Sequence, residues 1–181
     1  MLTHKGTQTL CTSRLTLRRF VMEDAQAMFE NWASDPEVTK FLTWPTHNSV
    51  AVTRMVLTDW VTNYNRPDYY QWAIEFEGQL VGSISVVSHS DRIGKAMIGY
   101  CIGRRWWHMG ITSGAMQAVI DFLFGEVGVE RIEAYHDSNN PNSGAVMRKC
   151  GMKYEGTHRR SDWNNQGVCD ADWYALLREE R

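Results

Sequence analysis

One segment in the middle of the chain combines a strand pattern, a basic loop punctuated by glycine and an amphipathic helix. Residues 95–102 have the alternation of a strand, and Arg104, Arg105 and Gly110 lie in the loop that follows. Over residues 113–124, apolar residues recur at helical spacing. A helix N-terminus presents unpaired N–H groups and the positive end of the helix dipole, so this segment predicts an anion-binding site. A plain strand-to-helix turn with two solvated arginines is the alternative.

Strand and helix patterns alternate along the rest of the chain. The sequence predicts further strands over residues 10–20, 69–76, 80–88, 131–136, 152–163 and 168–177, and further helices over residues 25–32, 49–63 and 140–149. The order β-α-α-β-β-β-α-β-α-β-β predicts an α/β (α+β) fold, a mixed sheet of about seven strands with about four helices on its faces. We expect residues 1–181 to form a single domain, with its core over about residues 10–180.

Length and charge exclude several classes of protein. The 181 residues carry a formal net charge of −2, which argues against a general nucleic-acid binder because phosphate binding needs a basic excess. No apolar run approaches the roughly 18–20 residues needed to cross a bilayer. Residues 1–8 lack the apolar stretch of a signal peptide. We therefore expect a cytoplasmic protein that binds neither membranes nor nucleic acid directly.

The spacing of cysteine and histidine predicts no metal site. The four cysteines contain no C-x-x-C pair, and their expected role is that of small buried residues in a reducing compartment. His136-Asp137 has ligand chemistry, but no third ligand follows at a matching spacing.

A cluster of polar residues follows the strand predicted over residues 131–136. The run Asp137-Ser138-Asn139-Asn140-Pro141-Asn142-Ser143 is rich in short hydrogen-bonding side chains. Asn140 can both donate and accept, and Ser143 can donate a proton from the first turn of the next helix, which suits an extended amide ligand. The alternative is an Asx-rich turn that caps the helix.

In this order and spacing, the segments resemble the GNAT superfamily of N-acetyltransferases. The strand, glycine-containing loop and helix are followed by Asn140-x-x-Ser143-x-x-Val146-x-x-Lys149-x-Gly151-Met152. Within the superfamily the chain resembles the RimJ/RimL-like group, which acetylates protein N-terminal amines. Residues 12–18, 151–157 and 170–180 carry that finer match, and the similarity covers nearly the whole chain.

The resemblance implies the GNAT fold, with a mostly antiparallel, twisted sheet that is splayed in the middle to admit acetyl-CoA. The pyrophosphate is expected on the loop and helix start, at Trp107, His108, Met109, Gly110, Ile111 and Thr112. The pantetheine is expected to pair with the strand edge at Tyr100, Cys101 and Ile102. There the N–H of Ile102 would polarise the thioester carbonyl, and Arg148 would contact the nucleotide end.

The resemblance also implies catalytic roles. Many relatives use a tyrosine as the general acid at the position where this chain has Met147. Ser143 therefore remains to bond the sulfur, and Asn140 is expected to contact the pantetheine and the thiol beside it. Asp162 matches the position of the base that accepts the amine proton, although a residue at the end of a hairpin is the plainer interpretation. Glu155, His136 or a water chain is the alternative base.

Together these features predict an acetyl-CoA-dependent N-acetyltransferase that works by direct transfer in a ternary complex. The expected acceptor is a protein N-terminal α-amine. A small amine such as a polyamine or an aminoglycoside is one alternative, and a non-catalytic module that binds CoA or a partner protein is another. The final hairpin also makes a homodimer plausible, and no metal is expected.

Overall fold

One mixed sheet of eight strands runs through residues 2–181, the part of the chain that the computed structural model describes. The strand order is β1-β2-β3-β4-β5-β6-β8-β7, and every neighbouring pair is antiparallel except β5 and β6. The strands are β1 (Leu10–Cys11), β2 (Leu15–Arg18), β3 (Gln71–Phe76), β4 (Gln79–Ser90), β5 (Lys95–Ile102), β6 (Arg131–Asp137), β7 (Lys153–Asn164) and β8 (Gly167–Leu177). The predicted mixed, mostly antiparallel α/β fold is confirmed.

The eighth strand arises because residues 10–20 form a hairpin and not the single strand expected. The Oγ1 of Thr12 accepts from the backbone N–H of Leu15 at 2.9 Å and of Arg14 at 3.2 Å, which closes a tight turn between β1 and β2. A side chain that bonds nearby backbone in this way competes with continuation of the strand.

Five α-helices pack on the two faces of the sheet. They are α1 (Ala25–Met28), α2 (Pro36–Thr39), α3 (Val50–Asn63), α4 (Ile111–Phe122) and α5 (Pro141–Lys149). A 3-10 turn (Met22–Asp24) and a π turn (Phe29–Ala33) extend α1 at its two ends. The short α2 falls between the helices predicted over residues 25–32 and 49–63 and was not predicted. Asp35 caps α2, since its Oδ1 accepts from the N–H of Glu37 at 2.9 Å.

The sheet separates two apolar cores. Successive residues of a strand point to opposite faces. Trp72 therefore packs in one core with Met116 of α4, and the adjacent Ala73 packs in the other with Met28 of α1 and Leu57 of α3. All five side chains are buried, so the sheet is covered on both sides of its centre.

The parallel pair at the centre of the sheet is short. β5 pairs with β6 only over Lys95–Met97, opposite Arg131–Glu133. Both strands then continue, β5 to Ile102 and β6 to Asp137, without pairing to each other. The expected splay in the middle of the sheet is confirmed. It opens a gap, and the N-termini of α4 and α5 lie beside the end of β5 there.

The tip of the β7–β8 hairpin holds residues 37–44, which comprise the end of α2 and the loop that follows it. The Nδ2 of Asn165 donates to the backbone oxygens of Thr39 at 2.8 Å and Trp44 at 2.9 Å. The backbone N–H of Asn165 donates to Leu42 O at 3.2 Å. One turn residue therefore fixes three carbonyls of this segment.

The cysteines are all unpaired, as expected, but their burial differs from the prediction. Cys150 is buried with 4% of its surface exposed, whereas Cys11 lies exposed on the short edge strand β1. Among residues 2–181, no helix combines the length and the apolar character that a membrane span requires.

Replacing Asn165 with alanine is expected to loosen residues 37–44 while leaving the sheet intact. The variant loses both side-chain hydrogen bonds, each of which contributes roughly 0.5–1.5 kcal/mol. Amide hydrogen exchange at Leu42, whose N–H donates to Thr39 O at 2.8 Å, should become about tenfold faster. Asn63→Ala, which removes a side-chain bond to Asp59 at the end of α3, is the control. Equal exchange in the two variants would contradict the anchoring role of Asn165.

Candidate active site at the opening of the sheet

A pocket of about 450 Å³ lies where β5 and β6 separate. It brings together most of the residues that the sequence predicted for cofactor and thiol, namely Tyr100, Cys101, Ile102, Trp107, His108, Gly110, Ile111, Thr112, Asn140 and Ser143. Met109, Arg148 and Asp162 are not among the residues that line it. The site is therefore built from the end of β5, the loop before α4 and the first turns of α4 and α5.

The edge of β5 presents unpaired backbone groups to the pocket. The N–H of Gly103 donates to Val81 O on β4 at 2.9 Å. Because N–H groups alternate between the two sides of a strand, the N–H groups of Ile102 and Tyr100 point the other way, into the gap. The carbonyl of Ile102 points the same way and accepts from Trp107 Nε1 at 3.0 Å. This edge can therefore bind an amide-bearing ligand as an added strand.

The start of α4 forms a cradle for an anion. Gly110 has a φ of 74°, in the left-handed region that favours glycine, and the helix begins at the next residue. A Cβ at Gly110 would stand 3.6 Å from Lys149 Nζ and 4.0 Å from Arg14 Nη1. Arg14 Nη1 also donates to Met109 O at 3.0 Å. Two cations thus flank the unpaired N–H groups of the first turn of α4.

Lys149 and Arg14 were not predicted as site residues. Lys149 stands within the motif that carried the family resemblance, and its place there was the only available signal. Arg148, the residue predicted instead, points toward β8. Its Nη1 donates to the hydroxyl of Tyr174 at 2.8 Å, and its guanidinium lies 6.0 Å from that ring's centroid.

A tyrosine hydroxyl bridges the gap to the first turn of α5. The Oη of Tyr100 donates to Ser143 O at 2.9 Å and lies 3.0 Å from Ser143 Oγ. Burial raises the pKa of Tyr100 well above its usual range, so the phenol keeps its proton at neutral pH. The sequence predicts only the position of Tyr100 on the strand edge, because nothing local shows which way its side chain points.

Asp162 lies beyond the pocket lining, on the β7–β8 hairpin. It pairs across the hairpin with Cys169, after an irregularity in strand register that follows His158. The neighbouring Tyr135 of β6 has its pKa raised to about 12, chiefly by burial and further by the Asp162 carboxylate. Asp162 is thus close to the end of β6, which borders the gap.

The alternative base, Glu155, is occupied by an ion pair. Its carboxylate accepts from both Nη atoms of Arg131, one of them at 2.9 Å. These bonds hold the pKa of Glu155 below its usual range, which makes it a weaker proton acceptor. The structure therefore disfavours Glu155 in that role.

Part of the pocket wall comes from residues 37–44, the segment that Asn165 holds. Its lining residues there are Glu37, Val38, Lys40, Phe41 and Leu42. The Nε of Arg104, in the loop before α4, lies 3.0 Å from the carboxylate of Asp35 at the start of α2. The pocket is thus lined both by the anion cradle and by a wall of mixed polarity from residues 37–42.

Comparison with known proteins identifies the family. The acetyltransferase (GNAT) domain family matches residues 14–153. The uncharacterised N-acetyltransferase p20 of Bacillus licheniformis is 29% identical over 176 residues, which cover 96% of this chain and 98% of p20. This chain belongs to the GNAT family of acetyltransferases, as its resemblance predicted.

Solved structures share the fold over nearly the whole chain. The RimL ribosomal L7/L12 α-N-protein acetyltransferase in complex with coenzyme A has a TM-score of 0.86 at 20% identity, covering 96% of this chain and 100% of RimL. RimJ from Mycobacterium smegmatis in complex with a CoA-disulfide has a TM-score of 0.86 at 23% identity, covering 96% of this chain and 88% of RimJ.

The cradle predicts which cation binds an anion here. Lys149→Met is expected to weaken the binding of inorganic pyrophosphate about tenfold, because it removes one charge-assisted contact of roughly 1.5 kcal/mol. Arg148→Met, which changes the adjacent residue on the other side of α5, should leave the affinity within about twofold. Calorimetric titration of both variants measures the difference. A larger loss in the Arg148 variant would contradict the assignment of Lys149.

Proposed function

We propose that this protein transfers an acetyl group from acetyl-CoA to a primary amine, with the N-terminal α-amine of a protein as the acceptor. One observation carries the proposal. A single pocket joins an anion cradle, a strand edge with unpaired N–H groups and a serine held by a partly buried tyrosine.

The residues present suit acetyl-CoA. The pyrophosphate fits the cradle at Gly110, whose left-handed φ disfavours a side chain and beside which Lys149 supplies positive charge. The amides of the pantetheine suit the edge of β5, where the N–H groups of Tyr100 and Ile102 face the gap. Asn140 lines the same pocket and can donate and accept.

The chemistry of acetyl transfer assigns roles to residues of this chain. Acetyl-CoA supplies an activated thioester, and its acetyl group moves to the amine as the C–N bond forms and the C–S bond breaks. The Ile102 N–H would stabilise negative charge on the carbonyl oxygen. The hydroxyl of Ser143 would donate to the departing sulfur. Tyr100, through its bonds to Ser143, would hold that hydroxyl in position.

The amine must lose a proton during the reaction, and Asp162 is the proposed acceptor. It does not line the pocket, so we propose that water carries the proton between the amine and this carboxylate. The position of Asp162 near Tyr135, at the end of β6, supports a path along that edge of the gap.

The choice of a peptide α-amine rests on similarity in fold to two acetyltransferases. RimL is named for its action on the α-amine of a ribosomal protein, and RimJ shares the same architecture. Polyamines and aminoglycosides are the competing acceptors, and a module that only binds CoA is the competing class.

We further propose that residues 1–181 form one domain, because a continuous sheet joins strands from Leu10 to Leu177. The cytoplasmic location stays a prediction. The homodimer also stays a prediction. The final hairpin supports it by placing the exposed side chains of Trp163 and Val168 opposite each other.

Binding of the co-substrate is tested by calorimetric titration with acetyl-CoA and with CoA. Gly110→Val should weaken acetyl-CoA binding at least about tenfold, because a side chain at this left-handed position both strains the backbone and enters the cradle. Gly125→Val, at an exposed glycine with ordinary φ and open space around it, is the matched control. Equal affinity of the two variants for acetyl-CoA would contradict the role of the cradle in binding it.

Turnover is tested by release of free thiol, with N-terminal peptides, a polyamine and an aminoglycoside compared as acceptors. Ser143→Ala should lower kcat roughly 100-fold, and Asp162→Asn should lower it with acetyl-CoA affinity unchanged. The exposed Ser88→Ala and Asp59→Asn variants are the controls. Turnover only with the small amines would overturn the peptide acceptor. Tight acetyl-CoA binding without turnover on any amine would favour the binding module.

A further inference from the structure

Two histidines and a carboxylate meet away from the acetyltransferase pocket. His89 lies near the end of β4, Asp91 follows in the turn to β5, and the N-terminal segment brings His4 against both. His4 Nε2 lies 3.0 Å from Asp91 Oδ1, and His89 Nδ1 lies 3.3 Å from the same oxygen. We propose that these three residues bind a divalent transition-metal ion, with zinc as the best match.

The spacing of the three ligand atoms suits a small ion. All of them lie within 4.8 Å of one another. Zinc takes histidine nitrogen and carboxylate oxygen at about 2.0–2.2 Å, so neighbouring ligands of a tetrahedral site stand about 3.3 Å apart. Two imidazoles and one carboxylate also favour zinc, cobalt or nickel over magnesium and calcium, which prefer oxygen ligands.

The second nitrogen of each imidazole faces a group that would orient it. His4 Nδ1 lies 2.9 Å from the hydroxyl of the buried Tyr70. His89 Nε2 lies 3.6 Å from the carboxylate of Asp68. Histidines that bind a metal usually donate their other N–H to such a partner, which fixes the ring and its tautomer. A chance ion pair at a surface does not need this outer set of partners.

The cluster is open to solvent on one side. The side chain of His4 is 14% exposed, that of His89 is 26% exposed and that of Asp91 is 45% exposed. An ion can therefore enter, and water can take its fourth position. Because His4 belongs to the N-terminal segment and the other ligands to the β4–β5 hairpin, a bound ion would tie that segment to the sheet.

The sequence alone does not reveal this site. His4 and Asp91 are 87 positions apart, and a search for metal ligands at short spacings does not connect them. The inference goes beyond the proposed acetyl transfer and does not depend on it, since none of the three ligands lines the pocket at the sheet opening.

The test is titration of the full-length, untagged protein with Zn²⁺ and with Co²⁺. We expect one equivalent of Zn²⁺ to bind and to raise the melting temperature, because the ligands come together only in the folded state. His4→Ala, His89→Ala and Asp91→Asn should each weaken binding at least about 30-fold and abolish the thermal shift. His158→Ala, at an exposed histidine outside the cluster, should change neither.

The absorption spectrum of the Co²⁺ form identifies the ligands. Visible bands of a low-symmetry site, without thiolate charge transfer in the near ultraviolet, are expected for two imidazoles and a carboxylate. A thiolate band would assign the ion to a cysteine and overturn the proposal. Failure of the protein to bind either ion, or equal binding by the wild type and the three cluster variants, would also overturn it. Thiol release is measured separately, so neither result bears on acetyl transfer.

Discussion

The early end of pairing between β5 and β6 is the constraint on which the rest of the site depends. Beyond Lys95–Met97 the two strands diverge, although both continue for several residues. Buried backbone groups need partners. Here the N–H groups of Tyr100 and Ile102 face the gap, where β6 no longer pairs with β5. The opening therefore supplies hydrogen-bonding capacity in the middle of an otherwise paired sheet, at the point where two helices begin.

Much of the fold could be predicted because hydrophobic periodicity is local. The strand over Lys95–Ile102 and the helix ending at Lys149 were placed within a residue of their observed bounds. The hairpin at residues 10–18 was missed because a single threonine hydroxyl creates the turn. The short helix after Asp35 was missed because Asp-Pro both ends and begins helices.

The site was less predictable than the fold, since side-chain direction depends on packing. Adjacent helical residues differ by about 100° around the axis, so Lys149 reaches the cradle while Arg148 reaches Tyr174. The Tyr100 hydroxyl meets Ser143 across 43 positions of sequence. The contact between His4 and Asp91 joins residues that are even farther apart in the sequence. Pairings of this kind follow from topology and not from spacing.

The wall that residues 37–44 contribute to the pocket has a consequence for how an acetyltransferase of this kind can diversify. It is joined to the β7–β8 turn through Asn165, whereas the anion cradle is built by α4 and α5. The two walls thus come from parts of the chain that are separate in sequence and held by different contacts. Mutations in residues 37–44 can therefore reshape one wall of the pocket while the anion cradle keeps its geometry.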